Sequence, residues 1–181
     1  TTSFTDSNHI LETLGILEGQ QGSVAEVHTA SAQNTETSSG TGTSITSGTT
    51  FALINTGDDL NNVTNGDTIT ISGTDHNGVS VSGTYTISDK STDTIQDLLT
   101  AIETTFGLDA GSATINGNGE IVITDSTAGE SQLSVNIVPN KQGGGTLNFG
   151  TLTATTEGTV MEKVSGQDAS VIIDGFSVSR S

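Results

Sequence analysis

In GDTITISGTDHNGVSVSGTYTI, residues 66 to 87, Ile69 and Ile71 alternate with threonines, and Val79, Val81, Tyr85 and Ile87 alternate with small polar residues. A period of two buries one side of each strand and leaves the other wet. The DHNG between the runs supplies turn-tolerant side chains and a glycine able to take positive φ, so the two strands are expected to pair as a hairpin. The period then changes: in STDTIQDLLTAIETTFG, Ile95, Leu98, Leu99, Ile102 and Phe106 follow helical spacing. Thr92 or Thr94 can cap the start, Asp93 and Asp97 suit the positive end of the dipole, and Gly107 suits the left-handed C′ position. Period two returns in SATINGNGEIVIT, a second hairpin around Asn116 to Gly119, and in SQLSVNIV with Leu133, Val135 and Ile137. One helix laid on a small antiparallel sheet makes the fold class α+β, mainly antiparallel β.

Outside this region the pattern is weaker. Ile10, Leu11, Leu14 and Leu17 read as a short amphipathic helix or turn, and GSVAEVHTA as a strand in which Val24 and Val27 do not cleanly alternate. Residues 29 to 50 carry almost no large apolar side chain and read as a linker or exposed loop. Pro139 and the run Gly143 to Gly145 mark an exit, and residues 146 to 181 are strand-like again. The expected organisation is two small β-rich domains. An inserted α+β domain over 51–138 lies between segments 1–50 and 139–181, which come back together as a discontinuous stem.

With four basic residues against 21 acidic ones, the formal charge of −17 repels phosphate backbones and anionic lipid headgroups. Nucleic acid and membrane surfaces are poor partners for such a chain. Hydrophobic residues make up 30% and aromatics 3%, which with short apolar segments implies thin sheet layers and modest cores. Without cysteine there is no disulfide framework and no thiolate nucleophile or metal ligand. The first residue is Thr, which reads as a piece cut from a longer exported protein.

Candidate chemical groups are few. His9, His28 and His76 are far apart, lack the spacing of a helical zinc motif, and read as solvated residues of loops or strand ends. The Asp-rich turns at 57–62 and 73–78 offer oxygens that suit calcium, but Asp75 has Gly78 too early and Thr86 where a bidentate Glu should stand, so turn chemistry explains them better. The pair Asp58 and Asp59 lies in a turn with nothing local to raise one pKa. No GxSxG elbow or phosphate loop occurs, and Asn62-Val63-Thr64 matches the glycosylation pattern only weakly. The expectation is a non-enzyme with no catalytic, cofactor or metal site residues and no cofactor.

The chain closes on GQDASVIIDGFSVSRS. A two-residue turn at Asp174-Gly175 pairs Ile173 with Phe176, Ile172 with Ser177, Val171 with Val178 and Ala169 with Arg180. It puts Val171, Ile173, Phe176 and Val178 on one face of the ribbon, with Arg180, the only arginine, at its frayed end.

The pattern Gly166-Gln167-Asp168-Ala169, an apolar strand, Asp174-Gly175 and a second strand ending Ser179-Arg180-Ser181 resembles the return strand of the bacterial flagellar filament-capping (hook-associated) protein family. DTIQDLLTAIETTFG followed by ATINGNGEIVITDSTAGESQLSV is similar to the helix-hairpin repeat of flagellins and hook-associated proteins, and LGILEG and TLNFGTLTATTEG look like connectors of long capping proteins. In that family the closing pattern runs on through Ser-Asn and another strand, where this chain stops. The terminal coiled-coil segments are missing as well, so no polymer-docking residue is carried over.

The resemblance implies an extracellular structural protein of the bacterial flagellum, whose subunits form a ring-like cap at the filament tip and assist flagellin assembly. This chain would be its outward-facing head. The implied partners are identical subunits and flagellin, with host glycans as a further partner because some capping proteins act in cell adhesion. Two alternatives are a secreted adhesin or carbohydrate-binding β module, against which a single Tyr and no Trp count, and a domain of a hook or hook-filament junction protein.

Overall fold

The computed structural model describes residues 23–36, 42–54, 63–140, 147–160, 169–173 and 176–180. The chain divides into two compact units, Ser23–Val160 and Thr1–Gly22 with Met161–Ser181. The larger is wider at both ends than the inserted domain expected over 51–138.

Within it, β4 (Thr68–Thr74) lies between β5 (Ser80–Thr86) and β8 (Ser134–Asn140) in a three-stranded antiparallel sheet. Ile69 and Ile71 of β4 are fully buried, with Val135 and Ile137 of β8 on the same inward side. The opposite side is short and polar: Thr68, Thr70 and Ser72 stand across from Thr86, Thr84 and Ser82. The Asn140 amide bridges the Thr68 and Thr70 hydroxyls at 3.2 and 2.9 Å.

The helix α1 (Ile95–Phe106) buries Ile95, Leu98, Leu99, Ile102 and Phe106, the stripe expected from spacing. Thr94 is its N-cap residue, and the Asp97 carboxylate accepts from both the Thr94 N–H (2.8 Å) and its hydroxyl (2.9 Å). Gly107 ends it with φ of 67°. The helix packs on β4 and β5 and also on β6 (Ala113–Ile115).

That strand belongs to a second sheet, in the order β6, β7 (Ile121–Ala128), β1 (Ala25–Ala30) and β9 (Leu152–Thr156). The expected single sheet is therefore two. Strands β7 and β8 follow each other in the chain yet enter different sheets, while β1 and β9, from the segments expected in the stem, complete the one that holds β7. One apolar core joins residues of both sheets and the helix, including Phe51 and Phe149. Each fully buried Ile, Leu or Phe contributes about 1.5–3 kcal/mol of transfer free energy.

Residues 29 to 50 are not a plain linker in the parts described. β2 (Thr35–Glu36) pairs with β3 (Thr43–Ser44), and Ile45 and Thr49 are buried. Backbone pairing holds the segment where apolar side chains are scarce: Asn34 N–H donates to the Gly119 carbonyl, and Ile45 N–H to the Asn34 carbonyl.

The smaller unit contains an antiparallel ribbon of β10 (Ala169–Ile173) and β11 (Phe176–Arg180). Its register runs from Ala169↔Arg180 through Val171↔Val178 to Ile173↔Phe176, the pairing expected from the sequence. The turn residues Asp174 and Gly175 lie outside the described residues.

Candidate groove and polar clusters

An open groove of about 690 Å³ lies between residues 43–47, the first half of α1 at Gln96 and Leu99, and β6 with its following turn. Its first wall is tied to the start of the helix. Ile95 N–H donates to the Thr49 carbonyl (2.9 Å) and Gln96 N–H to the Ser47 carbonyl (2.8 Å), so two amides that a helix start would offer to an anion are already used. Thr49 is held in turn by its hydroxyl, which accepts from Thr46 N–H (2.9 Å) and donates to the Glu36 carboxylate. Ile45, Leu99, Ala113 and Ile115 supply apolar surface, and the polar lining is hydroxyl and amide: Thr43, Ser44, Thr46, Ser47, Gln96, Thr114 and Asn116. None of these lining residues titrates near neutral pH. The groove is suited to hydrogen bonding with an uncharged polar ligand rather than to acid-base or nucleophilic chemistry.

The titratable side chains sit elsewhere and serve the fold. His28, expected to be solvated, is 6% exposed, and its Nε2 lies 2.5 Å from Oε1 of Glu26, itself 5% exposed. Both face inward on β1 together with Ala30, whereas Val27 is only half-buried. Alternation along β1 is regular, and the register shifts at Ala25/Val27 against β7 and at Val27/His28 against β9 put the extra residues on the partner strands. The i, i+2 spacing of Glu26 and His28 was the available signal, and Val24 and Val27, which do not alternate cleanly, marked no inward face.

His76 is also not a free loop residue. Its Nδ1 lies 2.7 Å from Oδ2 of Asp125, which accepts from the Ser131 hydroxyl at 2.6 Å, while Oδ1 accepts from Thr127 N–H at 2.9 Å. Burial works to raise the Asp125 pKa, but the hydrogen bonds from Ser131, Thr127 and His76 outweigh it and bring it below the ordinary 3.8. A Ser, His and Asp meet here in the wrong order for a nucleophile: the hydroxyl donates to the carboxylate, so no imidazole is placed to take its proton.

Asp75 behaves as the turn residue expected, its Oδ1 accepting from Asn77 N–H and Val79 N–H, both at 2.9 Å. Tyr85 stacks on Phe51 with ring centroids 5.7 Å apart. Burial, then the charges of Asp93 and Asp97 and a hydrogen bond to Asp93, push its phenol pKa well above 10. Its ring is part of the packing and not of the groove lining. Glu103, which helical periodicity did not single out, is buried and accepts from Gly111 N–H (2.7 Å) and Ala113 N–H (3.0 Å), fixing the approach to β6.

His9, Asp58, Asp59 and Asn62 lie outside the described residues. Among the described residues, no group of three or more His, Cys, Asp or Glu side chains is arranged to hold a metal ion, and no helix is long and apolar enough to cross a membrane. Comparisons with protein-family models, with curated proteins and with solved structures found no match.

Proposed function

We propose that this chain is a structural, non-enzymatic piece of a bacterial flagellar filament cap, its outward-facing head, acting at the filament tip with identical subunits and flagellin as partners. The observation that carries this reading is the closing ribbon. Its register, Ala169↔Arg180 to Ile173↔Phe176, is the pairing expected from a two-residue turn at Asp174-Gly175, and the GQDASVIIDGFSVSRS stretch that forms it resembles the return strand of that family. The use of Glu26, Asp75, Glu103 and Asp125 to hold histidines and backbone amides of the fold also suits a scaffold better than a catalyst. The test is gold-labelled antibody raised against residues 63–140 and applied to intact filaments of the source bacterium. Label confined to filament tips is expected, and label along the shaft, at the cell-proximal hook or on no filament would refute the proposal.

The groove favours a second reading, a carbohydrate-binding module, through its uncharged hydroxyl and amide lining. A glycan array showing binding that is lost in Gln96→Ala would establish it. Loss in Tyr85→Ala would not, because that ring packs on Phe51.

A further inference from the structure

The chain contains four Asn-Gly steps, Asn65-Gly66, Asn77-Gly78, Asn116-Gly117 and Asn118-Gly119. At such a step the glycine amide nitrogen, unhindered by a Cβ, can attack the asparagine side-chain carbonyl. The new bond joins Gly N to Asn Cγ, the Cγ–Nδ2 bond breaks, and ammonia leaves with the proton lost by the glycine nitrogen. Water then opens the succinimide at either carbonyl, giving aspartate or isoaspartate. The attack needs a glycine N–H released from hydrogen bonding and an asparagine side chain free to turn onto it.

The folded chain restrains the four sites unequally. At Asn65 both partners are held: the side-chain carbonyl accepts from Lys90 N–H (3.0 Å), and Gly66 N–H donates to the Ile87 carbonyl (2.7 Å). The Asn116 side chain is clamped at both ends, Oδ1 accepting from Asn118 and Glu120 N–H and Nδ2 donating to the Glu120 carboxylate at 2.7 Å. At Asn118 the glycine is buried, its N–H donates to the Asn116 carbonyl, and its own carbonyl accepts from Asn34 N–H. Asn77 differs. Its side chain is exposed at the tip of the β4–β5 hairpin and makes no hydrogen bond among the described residues, and the one bond holding the attacking nitrogen is Gly78 N–H to the Asp75 carbonyl (2.9 Å).

We propose that Asn77 is the chain's site of spontaneous succinimide formation, converting to aspartate and isoaspartate in the folded protein. The isoaspartate form adds a backbone carbon to a turn that Asp75 closes through Asn77 and Val79, beside the His76 that docks on Asp125. The reaction therefore ages the hairpin tip.

The test is a time course of peptide mapping by mass spectrometry on the full chain, in mildly alkaline buffer and in urea. Conversion in native buffer should run about tenfold faster at Asn77 than at the other three sites, because each further restraining hydrogen bond is worth about five- to tenfold in open population. In urea the four rates should draw together, and Asn77→Gln should remove the fast native component. Equal native rates, a lead by Asn65, Asn116 or Asn118, or a native Asn77 that stays intact while the urea-unfolded chain converts would each overturn the proposal.

Discussion

His76 and Asp125 join the two sheets of the larger unit: the imidazole at the tip of the β4–β5 hairpin lies 2.7 Å from a carboxylate on β7. Because Asp125 also holds Ser131 and the Thr127 amide, its truncation strands several polar groups at once. Asp125→Ala is expected to cost about 3 kcal/mol at neutral pH, measured by urea unfolding. The carboxyl is held below its ordinary 3.8 in the folded state, so its stabilisation is complete above that value and is lost as pH falls through the lower folded pKa. The difference between wild type and Asp125→Ala should shrink on acidification below about pH 4. A constant difference would show that the charge is not involved.

Glu103 separates a packing role from an acceptor role. Glu103→Ala removes the acceptor for Gly111 and Ala113 N–H and should cost about 2 kcal/mol, whereas Glu103→Gln keeps a carbonyl there and should lose about half as much. Amide exchange at Ala113 should accelerate in step with the loss.

Tyr85 is the only tyrosine, so an alkaline absorbance titration reads it alone. With burial and the Asp93 and Asp97 charges opposing the phenolate, ionisation should begin well above pH 10 in the folded protein. The raised pKa means that stability falls as pH climbs past the unfolded value near 10. Phe51→Ala removes the fully buried stacking partner and should cost about 3–5 kcal/mol, while Tyr85→Phe keeps the stack and should change stability little.

Two glycines of one turn should respond very unequally. A Cβ on Gly119 would sit 2.1 Å from the Asn34 carbonyl oxygen at a φ of 76°, while one on Gly117 meets open space. Gly119→Ala is expected to lose more than about 2 kcal/mol, and Gly117→Ala to stay within about 0.5 kcal/mol of wild type, both by thermal unfolding.

The hairpins, the helix and the closing register were legible because each is set within a few residues. Apolar alternation, a turn dipeptide and a capping Thr-Asp pair act locally, and Ile69, Leu98 and Val171↔Val178 fall where that local chemistry puts them. The groove was not legible: its walls come from residues 43–47, the start of α1 and β6, and no local pattern relates them.

What the sequence determined by itself was therefore the class, mainly antiparallel strands with the capped helix at Ile95–Phe106 among the described residues, and a surface rich in hydroxyls and acid. Only the tertiary structure decided which strands share a sheet. β7 and β8 have the same alternation, so periodicity cannot say that one pairs with β1 and the other with β4. It also decided which face of β1 turns inward. β1 alternates regularly, and the side that turns inward carries Glu26 and His28, satisfied by their mutual hydrogen bond in a way that hydrophobic spacing does not encode.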